Sequence, residues 1–325
     1  MTEPCAPHCR EARAQAPGAA GAGTGAELRH SPLRRLALAG ALTAGFMLVE
    51  AAVGWWAQSL ALLADAGHML ADAAALALAI AAQRIATRDP TRARTYGHRR
   101  AEVLAAFVNG IALAVVALWV FKEAAQRWTE PRAILAGPML VTALGGLVVN
   151  ALAALVLWRG QAGKNLNTKA ALFHVLSDGL GSLGALAAAI LVLGLGWLRA
   201  DAAAGMGIGV LVLYGGWRLL RETTHVLMEG APTEVDLAAV ERTLLDVPGV
   251  VGLHDLHLWC ISDGFNVLTV HVVIGGGQDG AAVAAEAGRA LGRRHGILHV
   301  TVQPEPQTDE RLAAAGRGPE PGTAP

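Results

Sequence analysis

Six long apolar stretches, separated by short polar joints, constrain the fold of this chain more than any other feature. Each is close to the roughly 20 residues that a helix needs to cross a bilayer. They are predicted to span Leu36–Gly54, Leu60–Ile80, Val103–Phe121, Pro138–Trp158, Ala170–Leu193 and Ala203–Leu219. The chain is 54% apolar and only 16% charged, whereas soluble domains are about 25% charged. The sequence therefore predicts a polytopic α-helical membrane protein in a lipid bilayer.

Basic residues are distributed unevenly over the joints between these stretches. They concentrate after the second and fourth stretches, at Arg84, Arg88, Arg92, Arg94, Arg99 and Arg100, and at Arg159, Lys164 and Lys169. Because basic loops stay on the cytoplasmic side of a membrane, these joints and both termini are predicted to be cytoplasmic. Overall, 26 basic residues balance 26 acidic ones. Without a basic field, a nucleic-acid partner is not expected.

The remaining chain divides into two tails and a small soluble domain. Residues 1–31 and 306–325 are rich in Ala, Gly and Pro without apolar periodicity and are predicted to be disordered. The first tail also lacks the apolar core of a signal peptide. Residues 32–228 form the predicted six-helix transmembrane domain, and residues 229–305 the soluble domain. The three cysteines are an odd number, which argues against a disulfide framework.

Within the soluble domain, apolar periodicity predicts an α-β-β-α-β order. The predicted elements are a helix at Glu234–Leu245, strands at Val250–Ile261 and Asn266–Ile274, a helix at Ala281–His295 and a strand at Ile297–Gln303. Ser262, Asp263 and Gly264 form the predicted hairpin turn between the first two strands. This order is that of an α+β sandwich.

Two predicted spans carry a histidine followed four residues later by an aspartate. The pairs are His68 with Asp72 and His174 with Asp178, and each pair shares one helix face. A carboxylate at the centre of a spanning helix costs about 2.5–3.5 kcal/mol, so it needs a partner. Two neutral imidazoles and two carboxylates would neutralise a divalent cation, and four N/O donors suit tetrahedral zinc. The alternative is that each pair bonds internally and only holds helices together.

The absence of a His-Glu-x-x-His motif from the sequence argues against an intramembrane zinc protease. Transport is therefore favoured over an enzymatic function. A metal-gated channel or a metal-sensing membrane protein is the main alternative, and a scaffold that holds metal without transporting it is a third class. Metal flux that responds to a pH gradient distinguishes an antiporter from a channel.

The segment from Ser59 to Asp72, Ser-Leu-Ala-Leu-Leu-Ala-Asp-Ala-Gly-His-Met-Leu-Ala-Asp, resembles the second span of cation diffusion facilitator (CDF) zinc exporters. The likeness continues through Tyr96–Glu102, Asn165–Asn167, His174–Asp178 and His254–Trp259. It is strongest to the bacterial ZitB/CzcD-like branch of that family. The resemblance implies a homodimeric, proton-driven antiporter of the bacterial inner membrane that exports Zn²⁺, with Cd²⁺ or Co²⁺ as further substrates, by alternating access. It also implies a ferredoxin-like cytoplasmic domain that regulates and dimerises.

Under this resemblance, Zn²⁺ is both the substrate and a regulatory ligand, and protons are the counter-ion. His68, Asp72, His174 and Asp178 match the family's transport site. Relatives with a second site carry a carboxylate and a histidine shortly before the position of His98. Thr91–Thr95 offers neither ligand type, so that site is expected to be absent, and His98 is interpreted as an interfacial polar residue.

Further metal ligands are predicted in the soluble domain. His254 and His271 lie on adjacent predicted strands, and His299 and Glu305 share one face of the last strand. Together with His257 they are candidate ligands of a dimer-stabilising site. The alternative is that they are ordinary histidines on an exposed strand face.

Two accessory features complete the candidate list. Asp65 lies three residues before His68 on the same helix face, and is either an entry or proton-relay carboxylate or a polar residue near the membrane surface. Cys5, His8 and Cys9 have metal-ligand spacing in the N-terminal tail but lack a fourth ligand.

Overall fold

The computed structural model describes residues 25–158 and 166–307. Its first part contains six long helices: α1 Gly25–Ala57, α2 Leu60–Ala86, α3 Ala101–Thr129, α4 Ala136–Trp158, α5 Leu166–Leu195 and α6 Arg199–Leu227. Each contains a segment long and apolar enough to cross a membrane. The prediction of a six-span helical membrane protein is confirmed.

The ends of these helices differ from the predicted span ends. Helix α1 begins at Gly25, so the expectation of disorder over residues 1–31 is wrong for residues 25–31. Ala26, Glu27 and Leu28 are favourable helix formers, and extending an existing helix requires no new nucleation. Helix α6 likewise continues to Leu227, past the predicted end of its apolar stretch. The polar joints therefore mark where the apolar stretch stops, and the helix continues into them.

Helix α2 lies at the centre of the bundle and contacts α1, α3, α5 and α6. Small residues allow these close approaches. A Cβ atom added at Gly205 of α6 would lie 2.9 Å from Leu60 Cγ of α2. A Cβ at Gly110 of α3 would lie 3.3 Å from the carbonyl oxygen of Gly216 of α6. Small residues at helix interfaces are typical of packing in lipid.

The second part of the structure consists of α7 Leu237–Leu245, β1 Val250–Ser262, β2 Phe265–Ile274, α8 Gly280–His295 and β3 His299–Pro306. The sheet order is β1-β2-β3. Strands β1 and β2 are antiparallel, and β3 is parallel to β2. Its core is formed by fully buried residues including Val240, Leu244, Leu268, Leu291 and Ile297. The predicted α+β domain and its α-β-β-α-β order are confirmed.

Three element boundaries in this domain differ from the prediction by two or three residues: the start of α7 and both ends of β3, which ends at Pro306 and not at Gln303. Helix α7 starts at Leu237 because Asp236 caps it, accepting a hydrogen bond from the Ala238 amide at 3.0 Å. Strand β3 starts at His299, after the predicted start at Ile297. Gly296 ends α8 in the left-handed conformation (φ 69°), and Ile297 is buried in the core before the strand begins.

Candidate metal centre

The two His-Asp pairs face one another across the contact between α2 and α5. Nε2 of His68 lies 3.4 Å from Oδ2 of Asp72 on its own helix, and Nε2 of His174 lies 3.7 Å from Oδ2 of Asp178. Between the helices, Nε2 of His174 lies 3.7 Å from Oδ2 of Asp72. Nε2 of His68 lies 4.0 Å from Oδ1 of Asp178. The structure thus brings these four residues together in one group, the transmembrane cluster.

The spacing within the transmembrane cluster suits a small tetrahedral ion. Ligand bonds of about 2.0–2.2 Å place neighbouring ligand atoms about 3.3–3.6 Å apart in a tetrahedron. The observed nitrogen–oxygen separations run from 3.4 to 4.0 Å, so a slight contraction completes the geometry. Nδ1 of His68, Oδ2 of Asp72 and Oδ1 of Asp178 are buried without a hydrogen-bond partner among the described residues. Unpartnered buried groups of this kind are costly, and a bound cation compensates the carboxylates.

The cluster lies away from the first turns of both helices and is open on one side. At 1.5 Å per residue, Asp72 is about 18 Å along α2 from Leu60, and His174 is about 12 Å along α5 from Leu166. The side chain of His174 is 51% exposed, whereas that of Asp178 is 2% exposed. An ion can therefore approach past His174, while the Asp178 side is closed by packed helices.

Two further carboxylates lie in the interior close to the cluster. Asp65 packs against α5 at Gly181, where a Cβ atom would lie 2.5 Å from Oδ1 of Asp65. Glu50 of α1 is 1% exposed, and neither of its carboxylate oxygens has a hydrogen-bond partner in the described part of the chain. Gly146 of α4 makes room for it, since a Cβ there would lie 3.0 Å from Oε1 of Glu50. Glycine at both positions accommodates a buried carboxylate.

Asp201, a residue that the sequence patterns did not single out, fixes the start of the helix that carries His68 and Asp72. It is fully buried at the beginning of α6. Its carboxylate accepts hydrogen bonds from the Ser59 hydroxyl at 2.6 Å and from the amides of Leu60 and Ala61 at 2.6 and 3.1 Å. Arg127 of α3 pairs with the same carboxylate at 3.4 Å. The first turn of α2 is thereby tied to α3 and α6.

A second cluster lies on the sheet. One ligand atom from each of His254, Asp255 and His271 lies within 4.8 Å of the others. Glu305 of β3 adds a carboxylate: its oxygens lie 3.2 Å from Nε2 of His254 and 3.1 Å from Nδ1 of His271. These four residues are called the sheet cluster. Asp255 faces Nδ1 of His254 and Glu305 faces Nε2 of the same ring, so one ion can share His254 with only one of the two carboxylates. The two imidazoles and one carboxylate supply three N/O donors, which suit a divalent cation such as zinc.

Asp255 joins the sheet cluster because of a β-bulge that strict strand alternation does not predict. The register of β1 against β2 shifts between His254 and His257, and Asp255 has a positive φ of 50°, which Asp tolerates better than most residues. Alternation would place Asp255 on the opposite face from His254. Instead, Oδ2 of Asp255 lies 3.3 Å from Nδ1 of His254.

The other predicted ligands of this domain are not brought to the cluster. The ring centroid of His299 lies 5.5 Å from that of Tyr96, in the loop between α2 and α3. His299 and Glu305 do share a strand period, but six residues of strand separate them by about 20 Å. His257 pairs with Thr269 and is not part of the convergent group. Cys5, His8 and Cys9 lie outside the described residues.

Family comparison matches almost the whole described chain. Residues 36–228 match the cation efflux transmembrane domain, and residues 232–307 match the cytoplasmic domain of cation efflux proteins. The chain therefore belongs to the cation efflux family.

Three relatives illustrate the similarity. The chain is 42% identical to the zinc transporter ZitB of Escherichia coli, over 84% of this chain and 88% of that protein. It is 42% identical to the metal cation efflux system protein CzcD of Cupriavidus metallidurans, over 87% of this chain and 89% of that protein. It is 39% identical to a cadmium, cobalt and zinc/H⁺-K⁺ antiporter of Bacillus velezensis, over 80% of this chain and 84% of that protein.

Proposed function

We propose that this protein exports Zn²⁺ from the cytoplasm in exchange for protons and binds the ion at the transmembrane cluster. The observation that carries the proposal is the crosswise arrangement of the two His-Asp pairs, in which each aspartate faces histidines of both helices. Four donors with a combined charge of −2 neutralise one divalent cation. Relatives named as zinc transporters and as a cadmium, cobalt and zinc antiporter support the same substrates.

Coupling to protons follows from the chemistry of the ligands. A histidine binds metal only through a neutral imidazole, so protons and zinc compete for His68 and His174. Imidazole titrates within the physiological pH range, which lets a pH gradient drive release on the acidic side. Deprotonation on the cytoplasmic side then restores the ligands for the next ion. Because the pairs are on different helices, a movement between α2 and α5 would change both the affinity and the open side of the site.

The sheet cluster is proposed to be regulatory. Zinc held by His254 and His271 with one of the two neighbouring carboxylates would be a structural ion that joins β1 to β2, and to β3 where the carboxylate is Glu305. If the sheet domain joins two copies of the chain, zinc bound there favours the assembled state by mass action. Cytoplasmic zinc could then bias the carrier toward its transporting conformation, which requires different affinities in the two states.

The cellular setting follows from the same proposal. The basic loop between α2 and α3 supports a cytoplasmic location for that side of the membrane. With six spans, both chain termini and the sheet domain are proposed to lie on the same side. The relatives are bacterial proteins, so the inner membrane of a bacterium is the proposed location. The protein is proposed to act as a homodimer without catalytic residues.

Zinc transport into proteoliposomes tests the proposal against its alternatives. Zinc should enter faster when the vesicle interior is more acidic than the outside, because protons then leave as zinc enters. Zinc entry should slow when an ionophore removes this pH gradient. Zinc flux that ignores the pH gradient would indicate a channel. Complete absence of flux from a correctly folded protein would indicate a sensor or scaffold.

A further inference from the structure

A cavity of about 530 Å³ lies where the loop between α2 and α3 meets the sheet domain. Its apolar wall includes Ile85 near the end of α2, Leu104 near the start of α3, and Trp259 of β1. Its polar wall is the loop segment from Arg94 to Arg100. This space, the loop cavity, is separate from both metal clusters, and neither the proposed transport nor the proposed regulation uses it.

The polar wall of the loop cavity carries an excess of positive charge. Arg94, Arg99 and Arg100 line it together with one carboxylate, Glu229. Arg100 is paired with Glu229 at 2.8 Å. Arg99 stacks on the ring of Phe265, 4.4 Å from its centroid, a contact that leaves its charge uncompensated. Neither Arg94 nor Arg99 forms an ion pair within residues 25–158 and 166–307. Two guanidinium groups are thus available to an anion.

The charge of this wall defines the kind of ligand that it could hold. Two guanidinium groups present several N–H donors. An anion with several oxygen acceptors would therefore bind both arginine side chains together. A phosphate group has this chemistry.

The position of the cavity indicates which molecule would supply the phosphate group. Helix α2 ends at Ala86 and α3 begins at Ala101, so the loop cavity lies at the edge of the membrane-spanning bundle, at the level of lipid headgroups. Leu104 is half-exposed beside it and offers an apolar surface to an acyl chain. Basic pockets at the cytoplasmic ends of spanning helices bind anionic lipid headgroups. We propose that the loop cavity binds the phosphate headgroup of an anionic phospholipid, with Arg94 and Arg99 as donors.

A bound headgroup would strengthen the contact between the membrane and sheet domains. The same loop already reaches the sheet through Tyr96, whose ring lies 5.5 Å from that of His299, and through Arg99 on Phe265. A lipid phosphate shared by Arg94 and Arg99 would fix this loop. The composition of the membrane would then influence how the sheet domain is held against the transport domain.

Calorimetric titration of the delipidated, detergent-solubilised full chain tests this proposal. Short-chain phosphatidylglycerol should bind at least about tenfold more tightly than phosphatidylcholine or inorganic phosphate. A double variant with Arg94→Gln and Arg99→Gln should weaken phosphatidylglycerol binding by about tenfold or more. The matched control, Arg88→Gln with Arg92→Gln, removes the same charge from loop positions outside the cavity wall and should change binding by less than about threefold.

Two further measurements keep the result unambiguous. Zinc affinity should be the same in both double variants and the wild type, which shows that the transmembrane domain is intact. Arg94→Gln alone, which leaves the Arg99–Phe265 contact in place, should produce part of the loss. If both double variants weaken phosphatidylglycerol binding equally, the proposal is wrong. The lipid would then be attracted by the overall positive charge of the loop and not by the cavity. Binding of inorganic phosphate as tight as that of phosphatidylglycerol would overturn it in favour of a free-anion site.

Discussion

Asp72 of α2 and His174 of α5 approach one another to 3.7 Å, and each also faces a partner four residues away on its own helix. This cross-helix contact turns two local pairs into one four-residue site. Two internally bonded pairs on separate helices would only support packing. Two pairs that face one another bring two carboxylates, with a combined charge of −2, close together in the spanning region. A divalent cation bound between them would compensate this charge.

Replacement of Asp72 by Ala should lower zinc affinity by more than about tenfold, because it removes one ligand and half of the compensating charge. Zinc titration of the solubilised protein measures this. Asp263→Ala removes a carboxylate at the hairpin turn of the sheet domain and serves as the control. Zinc binding by Asp72→Ala that equals the wild type would exclude Asp72 as a ligand.

The apparent affinity of the transmembrane cluster for zinc should fall as the pH drops from about 7.5 to about 6. A protonated imidazole cannot bind metal, so protons and zinc compete for the same nitrogen atoms. Titrations at a series of pH values, in a variant that lacks the sheet cluster, isolate the transmembrane contribution. An affinity that stays flat would rule out competition between zinc and protons at the histidines.

Replacing His254 and His271 together by Ala should remove metal from the sheet cluster and abolish the effect of zinc on dimer stability. Both histidines contact Glu305, so their loss leaves only carboxylates at the site. The matched control changes His257 and His299 to Ala, two histidines of the same domain outside the cluster. Dimer dissociation is measured with and without zinc. It should depend on zinc in the wild type and in the control, and should not depend on zinc in the variant that lacks His254 and His271.

Zinc binding at the transmembrane cluster should persist in the His254→Ala, His271→Ala variant. Loss of that binding in a folded protein would show that the two sites are not separate.

Asp201→Ala should destabilise the protein by about 3–5 kcal/mol, because it leaves the Ser59 hydroxyl and the Leu60 and Ala61 amides buried without their acceptor. Arg127 keeps its ion pair with Glu123 at 3.0 Å. Asp236→Ala is the comparison: Asp236 also caps a helix, α7, but is exposed to solvent. Asp236→Ala should lower the free energy of unfolding by only about 0.5–2 kcal/mol. Thermal unfolding in detergent measures both. Similar losses would show that Asp201 acts as an ordinary helix cap.

The two pairs of the transmembrane cluster could be predicted from sequence because each pair is local, whereas their meeting depends on the packing of α2 against α5. The i, i+4 spacing fixes the face that His68 and Asp72 share, and the cost of a carboxylate in lipid requires a partner. The span count followed from length and hydropathy, and the hairpin between β1 and β2 from turn residues. The resemblance to CDF exporters selected the same four residues.

Features that depend on tertiary contacts could not be predicted. Asp201 is adjacent to Ser59 only because α6 packs against the start of α2. Asp255 reaches His254 through a bulge that interrupts the strand period. The sequence predicted His299 and Glu305 as ligands of one site because alternation along a strand puts both on the same face. Alternation does not show that six residues of strand separate them. In each case the missing information was how two elements are placed against one another.

Zinc-dependent proton movement in proteoliposomes tests the central claim most directly, when wild-type protein is compared with Asp178→Asn and with the control Asp263→Asn. Asp178→Asn retains the size of the side chain while removing one of the two compensating charges. We expect external zinc to drive protons across the membrane in the wild type and in the control. Asp178→Asn should abolish this movement although the protein still inserts and dimerises. Proton movement in Asp178→Asn equal to that of the wild type would exclude exchange at this site.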